Sequence, residues 1–378
     1  MSIARNFKLT KIFLIAIAGV FSLASCGGSE KITVEATATS SSLSTPSSTT
    51  SSVVATTAAT ETVIETPTTI IDPEEWIGPR HPLTGLPASD GIVPRPALTV
   101  KIGNNDSNSL PHEGLAEADI VYETLIEAGK TRFLGIYQSS LPERIAPVRS
   151  ARSTDISLIG NLGNPHFAYW GSNEGVGAEV EEAARSGTFI RQSAEINSSG
   201  AFSRDPLRGN PPYDSVLNPA YLIGDVPTSA PTAIFDYGSL PVSAVSTLGL
   251  RWETGGRVIE YLWDEQFSKW KRFQDGSPLI GADGIQLDSE NVLLLYVDYF
   301  RSNADPNSPQ AQSTGGGDGW LLRNGKIVGI TWGRQFEALK WSFYDDDSGE
   351  VVKLDYGRTW VALAQLGEAS LLTPVEAA

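Results

Sequence analysis

Hydrophobic and polar positions divide the chain into three stretches of different character. Residues 12–23 form one continuous apolar run directly after a short basic flank. Residues 29–72 are dominated by Ser, Thr, Ala, Val and Glu and show no amphipathic period. From about residue 75 onward, short apolar or alternating runs are separated by Gly, Pro, Asn and Asp, a pattern typical of a folded chain rich in β-strands.

The first apolar run predicts an export signal, because it is shorter than the roughly 20 residues that a membrane-spanning helix needs. It ends in LASCG at residues 23–27, which resembles the bacterial lipobox. The resemblance implies that residues 1–25 are a lipoprotein signal peptide and that Cys26 becomes the acylated first residue. The protein would then be lipid-anchored at the outer face of the bacterial cytoplasmic membrane. An ordinary secretory peptide and an uncleaved anchor are the alternatives.

The polar second stretch predicts a disordered linker over residues 26–74, since it has too little large apolar surface to offset the entropy of ordering. As a flexible coil it would hold the folded part about 35–40 Å from the membrane. Cys26 is the only cysteine in the chain, so an intrachain disulfide and a multi-cysteine zinc site are excluded.

The third stretch predicts an α/β protein with two domains. We expect an N-terminal α/β domain with a mixed sheet over residues 75–235 and a smaller β-rich C-terminal domain over residues 236–378. The strands expected in the first are 97–102, 119–127 and 132–138, and the helices are 154–162 and 175–185. The strands expected in the second are 257–263, 267–273, 291–300, 319–323, 326–332, 341–344 and 351–354. Asn324-Gly325 predicts a tight hairpin turn, and residues 302–318, with three consecutive glycines, predict a mobile loop.

Charge is distributed unevenly along the chain. The formal net charge is −16, and without the signal, which holds three basic and no acidic residues, 25 basic residues stand against 44 acidic ones, a net charge of −19. Such a surface argues against nucleic acid and anionic lipid as general partners. Residues 130–152 are the exception with a local balance of +4, from Lys130, Arg132, Arg144, Arg149 and Arg152 against Glu143.

This basic segment predicts an anion-binding site. A guanidinium group donates two parallel hydrogen bonds to a carboxylate or phosphate, which makes an arginine cluster suited to an oxyanion. Backbone N–H groups where the segment enters the helix expected near residue 154 would add donors. The candidate anion-binding residues are Arg132, Arg149, Ser150 and Arg152. The alternative is that these arginines only stabilise the fold by pairing with carboxylates of a neighbouring strand, which are Asp119, Glu123 and Glu127.

Five motifs in order along the chain resemble the YerB-like lipoprotein family, a family classed as a domain of unknown function. They are HPLTGLP (81–87), ADIVYE (118–123), TRF (131–133), PVRSAR (147–152) and GRTW (357–360). The resemblance covers nearly the whole folded part and implies the same two-region organisation, without implying a reaction. The chain departs from the family at NPPYD (210–214), where no histidine is present to carry a role.

A second resemblance is to the LytR-CpsA-Psr family, whose members transfer polyprenyl-pyrophosphate-linked glycopolymers to peptidoglycan. It is carried by Asp119, by residues 147–152 and by AYWGS at 168–172. It implies that the arginines would face a pyrophosphate and that Asp119 would lie near a magnesium ion, with Glu123 a further candidate for a metal or ion-pair contact. Trp170 and Ser172 are candidate ligand contacts.

Common catalytic motifs are missing from the sequence. No phosphate-loop lysine motif, Gly-x-Ser-x-Gly elbow or His-Glu-x-x-His motif occurs, and the three histidines are scattered singly. We therefore expect a binding protein that uses Arg132, Arg149 and Arg152 to hold an anionic cell-envelope ligand or a protein partner, without a cofactor or metal. The alternative function is a glycopolymer phosphotransferase, which would require magnesium.

Overall fold

The computed structural model describes residues 72–223 and 229–372. The expected signal peptide, Cys26 and the linker as far as residue 71 lie outside the described residues. The described chain begins with a short 3-10 helix, Pro73–Glu75, capped by the Asp72 carboxylate, which accepts a hydrogen bond from the Glu74 N–H at 2.9 Å. None of the helices in these two ranges combines the length and the apolar character needed to cross a membrane.

The first half of the described chain supplies short strands and both α-helices. The strands are β1 (Leu98–Asn104), β2 (Ile120–Leu125), β3 (Thr131–Tyr137), β4 (His166–Tyr169), β5 (Ile190–Ser193), β6 (Phe202–Arg204) and β7 (Ser215–Leu217). The helices are α1 (Ser153–Ile159) and α2 (Glu174–Arg185). The further 3-10 helices are Ser107–Ser109, Leu115–Glu117, Glu127–Gly129, Pro206–Arg208 and Pro219–Tyr221. Asn173 caps α2 by accepting a hydrogen bond from the Val176 N–H at 2.8 Å, as expected for an amide side chain at this position.

The second half is built from strands alone. They are β8 (Val245–Ser246), β9 (Gly249–Glu253), β10 (Val258–Asp264), β11 (Lys269–Gln274), β12 (Ser277–Pro278), β13 (Asp288–Ser289) and β14 (Asn291–Tyr296). The rest are β15 (Tyr299–Arg301), β16 (Pro309–Ala311), β17 (Gly315–Arg323), β18 (Lys326–Arg334), β19 (Ser342–Asp345), β20 (Thr359–Ala364) and β21 (Ala369–Leu372). A mixed sheet with few helices, followed by a β-rich region, confirms the expected fold class.

Strands from both halves form one large sheet. Its order is β19-β18-β17-β14-β20-β2-β3-β1-β4-β5, with β8 beside β18. β14, β20 and β2 are parallel to one another, as are β1, β4 and β5, and β3 lies antiparallel between β2 and β1. These six parallel strands therefore end on the same side of the sheet, which we call the carboxyl edge. The domain bounds at residues 235 and 236 remain a prediction.

The large sheet is covered on both faces. Its helical face packs against α1 and α2, where Leu158, Val176 and Val180 are fully buried. The opposite face packs against a smaller sheet with the order β12-β11-β10-β9-β21, plus β13 beside β11. Burial on both faces explains why β1 and β2 are buried along their whole length.

The local predictions were mostly confirmed, and the exceptions are one strand end, one missing strand and one expected loop. The hairpin of β2 and β3, both helices and the Asn324-Gly325 turn all form, the last with φ values of 50° and 67°. The strand expected over 291–300 ends at residue 296, and residues 351–354 make only isolated bridges. The expected loop over 302–318 contains β16 and the start of β17, so its glycines belong to a paired strand.

Candidate anion-binding site

Residues 147–152 are here called the arginine segment. The segment is inserted like a wedge between β1 and the residue that follows β4. The Arg149 N–H donates to the Lys101 carbonyl at 2.8 Å, and the Trp170 N–H donates to the Arg149 carbonyl at 2.9 Å. β4 pairs directly with β1 only over residues 98–100 of β1. The wedge therefore separates two parallel strands at the carboxyl edge, which is where ligands bind in open α/β sheets.

A glycine in β1 makes room for the Arg149 side chain. A Cβ atom at Gly103 would lie 2.6 Å from Cγ of Arg149, which is closer than real Cβ contacts allow. The absence of a side chain at this position lets the arginine stem cross the strand.

Arg132 is buried without a carboxylate partner among the described residues. Its side chain leaves β3 next to Gly103, its register partner in β1, and Arg132 is only 5% exposed. Nη1 donates to the Ser150 carbonyl at 3.1 Å, and Nε donates weakly to Oδ1 of Asn105 at 3.4 Å. Burial first, and the positive charges of Arg152 and Arg149 second, lower the pKa of Arg132 to about 9. The three guanidinium groups are therefore close enough to repel one another.

Arg149 retains unused hydrogen-bonding capacity. It is 9% exposed, and its Nη1 is buried with no hydrogen-bond partner in the described ranges. The guanidinium carbon lies 5.3 Å from the ring centroid of Tyr213, whose hydroxyl donates to Oδ2 of Asp106 at 2.7 Å. Burial lowers the pKa of Arg149, although the charge of Asp106 acts in the opposite direction.

Arg152 is the one arginine of the three that forms an ion pair with a described carboxylate. Nη2 lies 2.9 Å from Oε1 and 3.2 Å from Oε2 of Glu127, while Nε is buried without a partner. The same Glu127 carboxylate accepts a hydrogen bond from the Ser308 hydroxyl at 2.6 Å. The alternative to anion binding was that the arginines of residues 130–152 pair with Asp119, Glu123 and Glu127, and of these pairs only Arg152 with Glu127 forms.

A further buried cation, Lys101, was not among the predicted site residues and lies next to the arginine segment. Nζ of Lys101 lies 2.6 Å from Oδ1 of Asp155, and both side chains are fully buried. Oδ2 of Asp155 also accepts the Arg152 backbone N–H at 2.8 Å, so this carboxylate fixes the end of the arginine segment. A lysine within the apolar run of β1 was the available signal for such a pair.

Glu123 and Asp119 do not join the arginine site. Glu123 points to the smaller sheet and pairs with Arg272 at 2.7 Å.

Asp119 precedes Thr124, the register partner of Arg132, by five residues, or about 17 Å of strand. It accepts hydrogen bonds from the backbone N–H groups of Gln138 and Ser139 at 2.6 and 2.9 Å. Asp119 and the arginines, which the LytR-CpsA-Psr resemblance implied would act on one ligand, therefore do not come together, because they lie toward opposite ends of the strands. Over residues 72–223 and 229–372, no group of three His, Cys, Asp or Glu side chains is arranged to hold a metal.

Trp170 and Ser172 follow β4 at the carboxyl edge, next to the arginine segment. The Ser150 hydroxyl donates to the Trp170 carbonyl at 3.2 Å, so the backbone of Trp170 helps to place the segment. The guanidinium carbon of Arg204 lies 4.4 Å from the Trp170 ring, and Phe202 meets the same ring edge-on. Protein groups thus already contact this ring, and both Trp170 and Ser172 are half-buried.

The fold and the site define a mixed-sheet α/β protein that gathers incompletely paired guanidinium groups at the carboxyl edge of its sheet. The chain belongs to the family described as Protein of unknown function (DUF3048): the N-terminal domain of that family matches residues 83–229 and the C-terminal domain matches residues 248–361.

Similar proteins come from Bacillus subtilis. The protein of strain 168 named "Putative lipoprotein YerB" is 25% identical over 293 residues, which cover 75% of this chain and 85% of that protein. A crystal structure of the YerB protein from Bacillus subtilis matches with a TM-score of 0.67 at 23% identity, covering 78% of this chain and 99% of that chain. This structural likeness concerns the fold. These matches give no support to the LytR-CpsA-Psr resemblance.

Proposed function

We propose that this protein is a lipoprotein, held through Cys26 at the outer face of the bacterial cytoplasmic membrane, that binds an anionic ligand of the cell envelope at Arg132, Arg149 and Arg152. The LASCG motif and the similarity to a protein named as a lipoprotein support the anchor. Replacing Cys26 by serine should move the full-length protein from the membrane fraction to the soluble fraction after cell lysis. Retention of Cys26→Ser in the membrane would contradict the lipid anchor.

The incomplete pairing of buried guanidinium groups is the observation that carries the binding proposal. Nη1 of Arg149 and Nε of Arg152 are buried N–H groups with no acceptor in the described part of the chain. A buried donor without an acceptor costs about 1–3 kcal/mol, and more when it is charged. An arriving phosphate or carboxylate oxygen would remove this cost and also reduce the repulsion among the three cations.

Burial favours a small anionic group over a flat protein surface as the ligand. Arg132 is 5% exposed and Arg149 is 9% exposed, so a partner must enter the wedge between β1 and β4 to reach them. A phosphate or carboxylate group at the end of a larger molecule meets this requirement. The net charge of the whole chain is −16 even with the +4 of residues 130–152 included, which disfavours other anion sites on the molecule.

Calorimetric titration of the full-length protein in detergent with inorganic phosphate tests this function. Arg149→Met keeps the packing of the arginine stem but removes the charge, and should weaken binding by at least about tenfold, the value of one charge-assisted hydrogen bond. The matched control is Arg251→Met, since Arg251 is a half-buried arginine that pairs with Glu253 and Glu260 on the smaller sheet, away from the arginine segment. Equal affinities of the wild type and Arg149→Met would overturn the proposal.

A further inference from the structure

The Glu127 carboxylate binds the Arg152 guanidinium group in the position that an anionic ligand would take. Both carboxylate oxygens lie within 3.2 Å of Nη2 of Arg152, and Oε1 lies 2.6 Å from the Ser308 hydroxyl, whose single proton is shared with the Asp305 carboxylate at the same distance. A guanidinium group and a hydroxyl group around one oxyanion is also the arrangement expected for a bound phosphate. The carboxylate of Glu127 therefore marks a position where the protein already accommodates a negative group.

Glu127 can leave this position without disturbing the core. It begins the short 3-10 helix that connects β2 to β3, and its side chain is 38% exposed. The following residues Ala128 and Gly129 have φ values of 58° and 64°, so the connection is a tight turn outside the sheet. Rotation of the side chain toward solvent would break its contacts with Arg152 and Ser308 and leave the strands in place.

A surface groove begins at the same carboxylate. It measures about 440 Å³ and runs between the ends of β2 and β20 and the loop between β15 and β16. Its walls include the rings of Tyr299 and Phe300 and the prolines Pro306 and Pro309, and Phe300 is 55% exposed. Asn307 and Gln365 add uncharged polar groups, and Arg301 adds a charged one. Apart from Glu127 and Arg301, the residues that line the groove are uncharged, and Arg152 pairs with Glu127 at one end of it.

We propose that Glu127 is a built-in counter-anion, which an anionic head group displaces from Arg152 and Ser308, and that the uncharged body of the same ligand lies in the groove against Phe300. This inference rests on the proposed function of the arginine site and adds two features to it. Ser308 becomes a ligand contact, and the ligand class becomes a phosphate or carboxylate joined to an uncharged organic body.

The charges near the site are consistent with the displacement of Glu127 from Arg152 by an anionic ligand. With Glu127 in place, three guanidinium groups face three carboxylates, since Asp106 lies near Arg149 and Asp305 lies near Arg152. Once Glu127 turns away, one net positive charge remains, which favours a ligand with a single anionic group. Burial raises the pKa of Glu127, but its hydrogen bond from Ser308 and the charge of Arg152 lower it overall, so Glu127 remains a charged competitor at neutral pH.

The first experiment measures the binding of inorganic phosphate to the full-length Glu127→Gln variant by calorimetry. Glutamine keeps the shape of the side chain and can still accept from Arg152 and Ser308, but it removes the competing charge. Phosphate should bind about tenfold more tightly than to the wild type, the size expected for one partly screened charge at contact distance. Glu113→Gln is the matched control, because Glu113, like Glu127, is a partly buried carboxylate paired with arginine, but its partners Arg144 and Arg208 lie outside the site.

The second experiment compares inorganic phosphate with phenyl phosphate, which adds an uncharged ring to the same head group. The wild type should bind phenyl phosphate more tightly, and Phe300→Ala should abolish this preference while leaving phosphate affinity unchanged. If phosphate binding depends on Arg149 but does not tighten in Glu127→Gln, the counter-anion is refuted and the proposed function stands. If phenyl phosphate gains nothing over phosphate, the groove has no part in binding. If Arg149→Met binds phosphate as the wild type does, the proposed function itself fails.

Discussion

Two buried arginines, Arg272 and Arg132, lie on opposite faces of the β2–β3 hairpin and differ in how completely they are paired. Arg272 approaches the face toward the smaller sheet, where Nη2 lies 2.7 Å from Glu123 and both side chains are fully buried. Arg132 lies on the helical face, beside Thr124, and its hydrogen bonds within the described residues go to uncharged oxygens. The two sites are thus adjacent in the fold and contrast in chemistry.

Arg272 is surrounded by groups that interact favourably with its positive charge. Its guanidinium carbon lies 5.4, 5.9 and 5.1 Å from the ring centroids of Phe133, Tyr261 and Trp360. Trp360 also donates through Nε1 to the Glu123 carboxylate at 3.0 Å. The Arg272 charge is paired with Glu123, and Glu123 also accepts the hydrogen bond from Trp360. This buried set therefore joins the two sheets and is not available to a ligand.

The comparison shows that burial alone does not distinguish a structural arginine from a binding arginine. Both kinds are removed from water, but at the arginine segment, within the two described ranges, only Arg152 has a carboxylate partner, and that partner is half-exposed. Pairing within the fold indicates stability, and missing acceptors indicate an external partner.

The largest effect is expected at the paired site. Arg272→Met leaves the Glu123 carboxylate buried without its cation, which should lower the free energy of unfolding by about 3–5 kcal/mol. Urea or guanidinium denaturation, followed by tryptophan fluorescence, measures this loss. A decrease smaller than about 1 kcal/mol would show that the pair contributes little to joining the sheets.

The double variant Arg272→Met with Glu123→Gln provides the control for this prediction. Removing both charges avoids the unpaired carboxylate, and the glutamine oxygen can still accept the hydrogen bond from Trp360, so most of the lost stability should return. If the double variant is as unstable as Arg272→Met, the loss arises from packing against the aromatic rings and not from the buried charge.

A smaller effect is expected at the arginine segment. Arg149→Met removes a guanidinium group that lacks a full set of partners, and it relieves repulsion with Arg132 and Arg152. The free energy of unfolding should therefore change by less than about 1 kcal/mol in the same denaturation experiment. A loss as large as that of Arg272→Met would place Arg149 with the structural arginines and remove the contrast between the two sites.

Local sequence patterns were sufficient for elements whose signals lie within a few residues. The hairpin of β2 and β3 has alternating apolar runs around a turn, and the Asn324-Gly325 turn has residues that tolerate positive φ. The strand predicted over residues 291–300 was too long, because the apolar run continues to residue 300 whereas β14 ends at Tyr296. There Tyr299 turns away from β14 and its hydroxyl donates to the Leu363 carbonyl at 2.8 Å.

The three consecutive glycines show the limit of composition as a guide. Glycine favours loops, yet residues 315–317 pair with β18 in the large sheet. A Cβ atom at Gly317 would lie 2.9 Å from Nε1 of Trp332 and from the carbonyl oxygen of Tyr296. The close approach of these groups, which is a property of the folded chain, explains why glycine suits this strand position.

The sequence by itself determined the fold class, most of the elements and the concentration of arginines at residues 130–152, because hydrophobic periodicity, turn residues and local charge are properties of neighbouring positions. The tertiary structure alone decided which arginines have partners. Glu123 and Arg272 are 149 residues apart, and Lys101 and Asp155 are 54 residues apart. Electrostatic pairing depends on distance in space, and the sheet order that sets those distances arises only when the whole chain has folded.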